Sequence, residues 1–176
     1  MRNVILFIAM SLDGYIADAQ GKVDWLTGQG DDEEGGNSYC EFVKEVDTVI
    51  MGWNTYHQIV TELSPDVWVY DALTTYVMTH RKLDSSQKIR FTDMDLAELI
   101  QRIRSESGKG IWICGGAHLV GQLVNRDLID CYHITIIPTI LGAGIRLFEN
   151  GQREIQLKLL KTQSYQGMTE LVYIRR

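Results

Sequence analysis

The chain has 176 residues, of which 45% are hydrophobic and 23% are charged, and its formal net charge is −6. This composition predicts one folded domain, residues 1–176, and excludes a disordered chain. The acidic balance argues against nucleic acid as a partner, and the absence of a long apolar run or a signal-peptide pattern predicts a cytoplasmic protein with no membrane association.

The amino-terminal part of the chain predicts a buried strand, a long connection and a short helix. Asn3 to Met10 is a nearly continuous apolar run, typical of a central strand covered on both faces. Asp13 to Gly36 is polar and glycine-rich, and a connection of that length is usually functional or mobile. Ser38 and Glu41 have the spacing of a capping box, which predicts that a helix begins beside them.

The middle of the chain alternates further strands with helices. Strands are predicted at Asp47–Gly52, Thr74–Thr79, Lys88–Phe91 and Ile111–Cys114. An amphipathic helix is predicted over Asp95–Glu106, and Leu119, Val120, Leu123 and Val124 mark another after Gly116. Asn54 or Thr55 is expected to cap a helix after the second strand.

The carboxyl-terminal part predicts strands alone. Asp130 to Ile140 is rich in β-branched residues, and Pro138 indicates a sheet edge or a strand end. Ile155–Tyr165 and Met168–Arg175 are predicted to pair as a hairpin around Gln166 and Gly167. The whole pattern predicts an α/β fold with a mostly parallel sheet and an antiparallel edge.

Four of the predicted strands end in residues that suit a ligand site. Their ends are Ser11-Leu12-Asp13-Gly14, Gly52-Trp53-Asn54-Thr55, Thr79-His80-Arg81 and Gly115-Gly116-Ala117. Ligands of open parallel sheets gather at the carboxyl ends of the strands, and two glycine-to-helix junctions beside a positive cluster suit a ligand with several phosphates. Each feature also has a purely structural explanation as a turn, a cap or a solvated strand end.

Other kinds of chemistry find little support in the sequence. The three cysteines and four histidines lack metal-ligand and disulfide spacing, so we predict no metal site. Cys114 lies on an apolar strand, where burial is expected to raise its pKa and leave it inert. No serine–histidine–aspartate arrangement and no carboxylate pair indicates a hydrolase.

Five segments together resemble the dihydrofolate reductase-like superfamily, in the branch typified by the reductase domain of the bifunctional riboflavin-biosynthesis protein. The segments occur in the family's order and cover nearly the whole chain. They are IAMSLDGYIA (8–17), VDTVIMGWNTY (46–56), VMTHR (77–81), IWICGGAHLVGQLV (111–124) and IPTILGAGIRLF (137–148). The resemblance implies a three-layer fold with a sheet of about eight strands.

The resemblance also implies an NADPH site. By matching position, Gly52, Trp53, Asn54 and Thr55 would hold the pyrophosphate from one side, and Gly115, Gly116, Ala117, His118 and Leu119 from the other. Thr79, His80 and Arg81 would flank the adenosine 2′-phosphate, and Ala9 would lie by the nicotinamide. On the substrate side, Asp13 would act as the catalytic polar group, with Trp25 and Tyr56 as further contacts.

Two positions depart from the family pattern. Trp53 stands where the family usually has an arginine, so an arginine contact to the 2′-phosphate is expected to be lost, leaving His80 and Arg81. The carboxylate by which dihydrofolate reductases hold the pterin would fall near Gly36–Ser38, where the sequence has no acid. Dihydrofolate is therefore not expected to be the natural substrate.

The sequence thus predicts an NADPH-dependent reductase of a C=N or C=O carbon in a small heterocyclic or sugar-derived substrate. The resemblance favours 5-amino-6-(5-phosphoribosylamino)uracil, a riboflavin-biosynthesis intermediate. The alternatives are a non-catalytic NADP(H)-binding or sensor protein, in which Trp53 marks a degenerate site, and a dihydrofolate reductase-type pterin reductase. Relatives of this branch are often homodimers. The segment Asp130–Ile140 is expected to be either an interface or a covered strand.

Overall fold

The computed structural model describes residues 1–29, 38–149, 151 and 153–176. Its main element is an eight-stranded sheet with the order β5-β4-β3-β6-β1-β7-β10-β9. The strands from β5 to β7 in this order pair in parallel, whereas β10 is antiparallel to both β7 and β9. The predicted α/β fold, with its mostly parallel sheet and antiparallel edge, is confirmed.

The strands and helices have the following bounds. The strands are β1 Val4–Ser11, β2 Tyr15–Ala17, β3 Val46–Gly52, β4 Thr74–Met78, β5 Ile89–Thr92, β6 Gly110–Gly115, β7 Cys131–Ile137, β8 Ile145–Arg146, β9 Leu157–Tyr165 and β10 Met168–Arg175. The helices are α1 Ser38–Glu45, α2 Trp53–Gln58, α3 Leu96–Ser105 and α4 Ala117–Asn125, and a π-helical turn, Ile59–Leu63, follows α2. None of the helices in these described parts of the chain is long and apolar enough to cross a membrane.

The helices cover both faces of the sheet, which explains why β1 is apolar at nearly every position. Val4 and Leu6 pack into the core under α3 and α4, while Ile5 packs into the core under α1 and α2. A strand buried on both faces gains hydrophobic stabilisation from successive side chains, so the usual alternation with polar residues is lost.

Two predicted helix caps are wrong. Gly52 is the N-cap residue of α2, and no side chain accepts a capping hydrogen bond there. Neither Asn54 nor Thr55 is therefore the N-cap of this helix. Ser38, expected to form a capping box with Glu41, instead directs its hydroxyl to the carboxylate of Glu170, and Glu41 pairs with Lys44. Asp95 does cap α3, since its carboxylate accepts from the backbone N–H groups of Ala97 and Glu98.

The segment Asp130–Ile140 is a covered strand in this chain. Its strand, β7, lies between β1 and β10 in the middle of the sheet, and Pro138 follows its last residue. Pro138 therefore marks a strand end and not a sheet edge, because both edges of β7 are paired. A homodimer stays a prediction, and β7 does not supply a free sheet edge for it.

A second, two-stranded sheet had no counterpart among the predicted elements. β2 and β8 pair antiparallel beyond the end of β1, with Tyr15 opposite Arg146 and Ala17 opposite Ile145. β2 lies within the connection Asp13–Gly36 that the sequence indicated only as a long loop. The acidic run Asp31–Glu34 in that connection lies outside the described residues.

Candidate functional site

A cleft of about 1480 Å³ opens at the carboxyl ends of the parallel strands. It forms where β4, β3, β6 and β1 lie side by side, so that the ends of strands far apart in sequence become neighbours. Gly52 pairs with Met78 and Met51 with Gly115, which sets the two glycine junctions next to each other. The cleft is larger than the ~300–1,000 Å³ of a common small-ligand pocket.

The two glycine-to-helix junctions face each other across the inner wall of the cleft. A Cβ added at Gly52 would lie 3.8 Å from the backbone nitrogen of Gly116. A Cβ added at Gly116 would lie 3.7 Å from the Thr55 hydroxyl oxygen. Side chains at these two positions would therefore narrow the space between the junctions, so the glycines leave a cradle in which backbone can approach an extended anionic ligand closely.

The residues assigned to the cofactor by resemblance come together around this cleft. Its lining includes Ala9, Gly52, Trp53, Asn54, Thr55, Thr79, His80, Arg81, Gly116, Ala117, His118 and Leu119. Gly115 lies just behind the lining, with its carbonyl oxygen 4.0 Å from the Cβ position of Gly52. Convergence in one cleft is what a shared ligand requires, although their individual roles stay predictions.

Arg81 lies over the ring of Trp53, with its guanidinium carbon 4.7 Å from the ring centroid. The backbone N–H of Arg81 donates to the Thr79 hydroxyl at 3.1 Å, which fixes the turn after β4. The indole of Trp53 packs against Tyr56 and His57, at centroid distances of 5.7 and 5.5 Å. The position where the family usually has an arginine thus carries a ring that contacts an arginine from the neighbouring strand end.

The charge of the cleft is uneven. Among the described residues that line it, Arg81 is the single arginine or lysine, whereas four residues carry carboxylates. These are Glu62, Asp93, Asp95 and Glu149. Asp95 is paired with Arg126 at 2.7 Å, and hydrogen bonding to that guanidinium lowers the pKa of the Asp95 carboxyl. An anionic ligand in this cleft therefore depends on backbone N–H groups and on Arg81.

Two residues predicted to contact substrate lie away from the cleft lining. The indole N–H of Trp25 donates to the carbonyl of Lys22 at 3.2 Å, while its neighbours Val23 and Leu26 line the cleft. Tyr56 packs between Trp53 and the rings of Trp68 and Phe91. Its ring supports the wall behind Trp53.

Asp13 connects the end of β1 to the turn that precedes β8. Its carboxylate accepts from the Ser11 hydroxyl at 2.6 Å and from the backbone N–H groups of Leu141 and Gly142 at 3.1 and 2.7 Å. The Ser11 hydrogen bond, reinforced by these backbone donors, lowers the pKa of Asp13 to about 2. A carboxylate whose pKa is lowered and whose two oxygens accept three hydrogen bonds is suited to fixing a turn.

Tyr70 is a cleft residue that the sequence analysis missed. It lies in the connection between the π-helical turn and β4, and its hydroxyl is 3.8 Å from the sulfur of Cys114. Burial raises the pKa of both groups, that of Cys114 to about 11, which is the direction expected for a thiol on an apolar strand. Nothing in the local sequence around Tyr70 indicates a site, because only the folding of this connection brings it to Cys114.

A carboxylate does lie next to Ser38, although it comes from a distant strand. Glu170 of β10 is 2% exposed and accepts hydrogen bonds from Ser38, Gln163 and Tyr165. Burial alone would raise its pKa, but these hydrogen bonds outweigh burial and lower it. Because its oxygens are occupied and it does not line the cleft, Glu170 offers no free acceptor to a pterin.

The chain is similar to known proteins in both sequence and structure. It is 40% identical over 179 residues to the uncharacterized protein YwjB of Bacillus subtilis, an alignment that covers 99% of this chain and 98% of the relative. A putative riboflavin biosynthesis protein from Shewanella sp. PV-4 superposes with a TM-score of 0.84 at 28% identity, covering 99% of both chains.

A more distant structure shows the fold. The dihydrofolate reductase of Enterococcus faecalis, complexed with NADP(H) and RAB-propyl, superposes with a TM-score of 0.68 at 16% identity, covering 98% of this chain and 96% of its own. The family model of the RibD C-terminal domain matches residues 2–171. The chain therefore belongs to the RibD C-terminal domain family and has the dihydrofolate reductase-like fold.

Proposed function

We propose that this protein is an NADPH-dependent reductase that delivers hydride to a C=N or C=O carbon of a small heterocyclic or sugar-derived substrate. The observation that carries the proposal is the convergence of both glycine junctions, Arg81 and Ala9 on one cleft. The family and the NADP(H) complex of the structurally similar dihydrofolate reductase support it. The leading substrate is 5-amino-6-(5-phosphoribosylamino)uracil, which the family resemblance favours.

Different residues of the cleft would hold different parts of the cofactor. The segments 52–55 and 115–119 would hold the pyrophosphate through backbone N–H groups, with no side chain at the closest glycines. Thr79, His80 and Arg81 would flank the 2′-phosphate, and the small side chain of Ala9 leaves room for the nicotinamide. When bound, NADPH supplies the hydride, and the protein contributes orientation.

The segment after β1 would exclude water from the reacting end. Val23 and Leu26 present apolar side chains to the cleft, and β2 and β8 frame the same end through Ile16 and Ile145. Removing water there strengthens electrostatic contacts to the substrate and limits side reactions. Asp13 would serve this arrangement by holding the turn at Leu141 and Gly142, while its assignment as the catalytic group stays a prediction.

Titration with NADPH, followed by protein fluorescence, tests the proposal directly. Trp53 lines the cleft, so binding is expected to quench emission, with saturation in the micromolar range typical of enzyme ligands, about 1 μM–1 mM. Titration of free tryptophan with NADPH provides the control for inner-filter absorption. A failure to bind at millimolar NADPH would contradict the reductase proposal.

A turnover assay distinguishes a reductase from a non-catalytic NADP(H)-binding or sensor protein. NADPH oxidation is measured at 340 nm with a panel of pyrimidine, pterin and carbonyl substrates, the phosphoribosylaminouracil included. The proposal expects oxidation with a pyrimidine substrate. Tight NADPH binding without oxidation across the whole panel would favour a non-catalytic binding protein, and oxidation with dihydrofolate alone would favour the pterin reductase.

A further inference from the structure

We propose that Trp53 is a specificity-determining residue that positions Arg81 to recognise the 2′-phosphate, so that an aromatic ring and an arginine together replace the family's arginine at residue 53. This inference rests on the proposed use of NADPH. The sequence predicted only the loss of an arginine contact at this position, with His80 and Arg81 left to favour NADPH. The proposal assigns to the side chain of Trp53 a role without direct contact to the 2′-phosphate.

The first support is that Trp53 and Arg81 are each held in place by contacts with other residues. Trp53 begins α2 immediately after Gly52, and its ring is braced by Tyr56 and His57. The backbone of Arg81 is fixed by the Thr79 hydroxyl, and its guanidinium then lies 4.7 Å from the centre of the indole. A flexible exposed side chain is thereby restrained at the wall of the cleft, which reduces the entropy lost on binding an anion.

The second support is the chemistry of the pair. Tryptophan offers the most favourable ring face for a cation. The N–H groups of a guanidinium lie in its plane. When its face packs on an aromatic ring, these N–H groups stay available for bidentate contact with a phosphate. Arg81 has no ion pair with any carboxylate among the described residues, so no internal anion competes for these donors.

The third support is the charge of the cleft. Arg81 is the single arginine or lysine among its described lining residues, which also include the carboxylate of Asp93 and that of Asp95, which is paired with Arg126. A dianionic phosphate placed at this end would be repelled without a well-positioned cation. The position of the Arg81 guanidinium should therefore affect how strongly a 2′-phosphate is favoured.

The test measures the preference for a 2′-phosphate by isothermal titration, because replacing a tryptophan would alter a fluorescence signal. The probes are adenosine 2′,5′-bisphosphate and AMP, which differ in that one phosphate, and the preference is the ratio of their Kd values. Trp53→Leu is expected to reduce the preference about two- to fivefold, as for loss of an exposed cation–π contact. Trp53→Phe should restore part of it, and Arg81→Ala should reduce it roughly tenfold or more.

The double variant distinguishes positioning from general destabilisation. If Trp53 acts through Arg81, Trp53→Leu added to Arg81→Ala causes no further loss of preference. Lys82→Ala is the matched control, since it removes a neighbouring positive charge that does not line the cleft, and it should leave the preference near that of the wild type. Thermal melts of all variants verify folding.

The outcomes separate this inference from the proposed function. If the wild type binds NADPH and the Trp53→Leu variant keeps the wild-type preference for the 2′-phosphate, the role of Trp53 is overturned and the reductase proposal stands. The same holds if Trp53→Leu lowers the preference equally with and without Arg81. A wild-type protein that binds neither NADPH nor the bisphosphate overturns both.

Discussion

At the scale of single residues, Asp13 shows how a side chain can suit two roles until its neighbours are known. In the sequence it is an acid beside a glycine, within a segment that resembles the family. In the structure its two oxygens accept from Ser11, Leu141 and Gly142. This arrangement favours a turn-fixing role, and variants at this residue test it in two ways.

The first test of Asp13 is the pH dependence of stability. Its pKa is lowered from 3.8 to about 2 by the hydrogen bonds of the folded state. A lowered folded-state pKa stabilises the protein above pH ~4, and this stabilisation is lost as the pH falls from about 4 to about 2. Asp13→Asn should therefore lower Tm most above pH 4, with the gap to the wild type closing towards pH 2. A gap that is constant with pH would contradict this.

The second test of Asp13 is turnover. If Asp13 fixes the turn and transfers no proton, Asp13→Asn keeps a measurable rate whose pH profile has the wild-type shape. Loss of turnover in a variant that still folds and still binds NADPH would instead favour the catalytic role. Asp24→Asn, which changes an exposed acid on the same connection, serves as the control for general effects of charge.

At the scale of elements, the pairing of β2 with β8 depends on one glycine. Gly144 has φ +148°, and a Cβ there would overlap the carbonyl oxygen of Ala17 at the end of β2. The backbone conformation and the close approach both exclude a side chain, so the turn 141–144 tolerates glycine alone at this position. The small sheet that frames the cleft is therefore sensitive to this residue.

Gly144→Ala is expected to destabilise the fold by about 2 kcal/mol or more, because strain at φ and a backbone clash act together. Gly142→Ala is the matched control, since Gly142 also has a positive φ, +73°, but has open space around its Cβ position. Gly142→Ala should lower the free energy of unfolding by about 1–2 kcal/mol, the cost of a positive φ for alanine without a clash. Urea unfolding measures both, and equal losses would show that the contact with Ala17 does not matter.

At the scale of the whole molecule, the sequence predicts what local patterns encode and misses what the fold brings together. The continuous apolar run of β1, the helical stripe of α3 and the turn at Gln166-Gly167 each carry their own signal, and the sheet follows from them. β8 has two residues and no pattern of its own. The Ser38–Glu170 and Tyr70–Cys114 contacts join residues far apart in sequence.

The candidate site divides in the same way. The glycine junctions were predictable because a strand, a glycine and a helix follow one another locally. The packing of Arg81 on Trp53 was not, since it joins the ends of β4 and β3, and the sequence showed only a missing arginine. Residues assigned by motif position, such as Trp25 and Tyr56, can lie near the right elements without lining the cleft.

The uneven charge of the cleft has a consequence for the kinetics of binding. The chain carries a formal net charge of −6, and among the described residues that line the cleft four carboxylates accompany one arginine. An anionic dinucleotide therefore approaches against a repulsive long-range field and is attracted only at short range. Added salt screens the approach, so the association rate constant is expected to rise between about 0.01 and 0.15 M ionic strength, where the Debye length falls from ~30 to ~8 Å.

The same salt weakens the short-range contact with Arg81, so dissociation should also become faster. Stopped-flow mixing with NADPH measures both rate constants, and Arg81→Ala should keep the salt dependence of association while losing that of dissociation. An association rate that falls with salt would show that the approach is attractive. If association instead rises with salt, as expected, the cleft binds anions slowly and retains those that Arg81, the single arginine or lysine among its described lining residues, can contact.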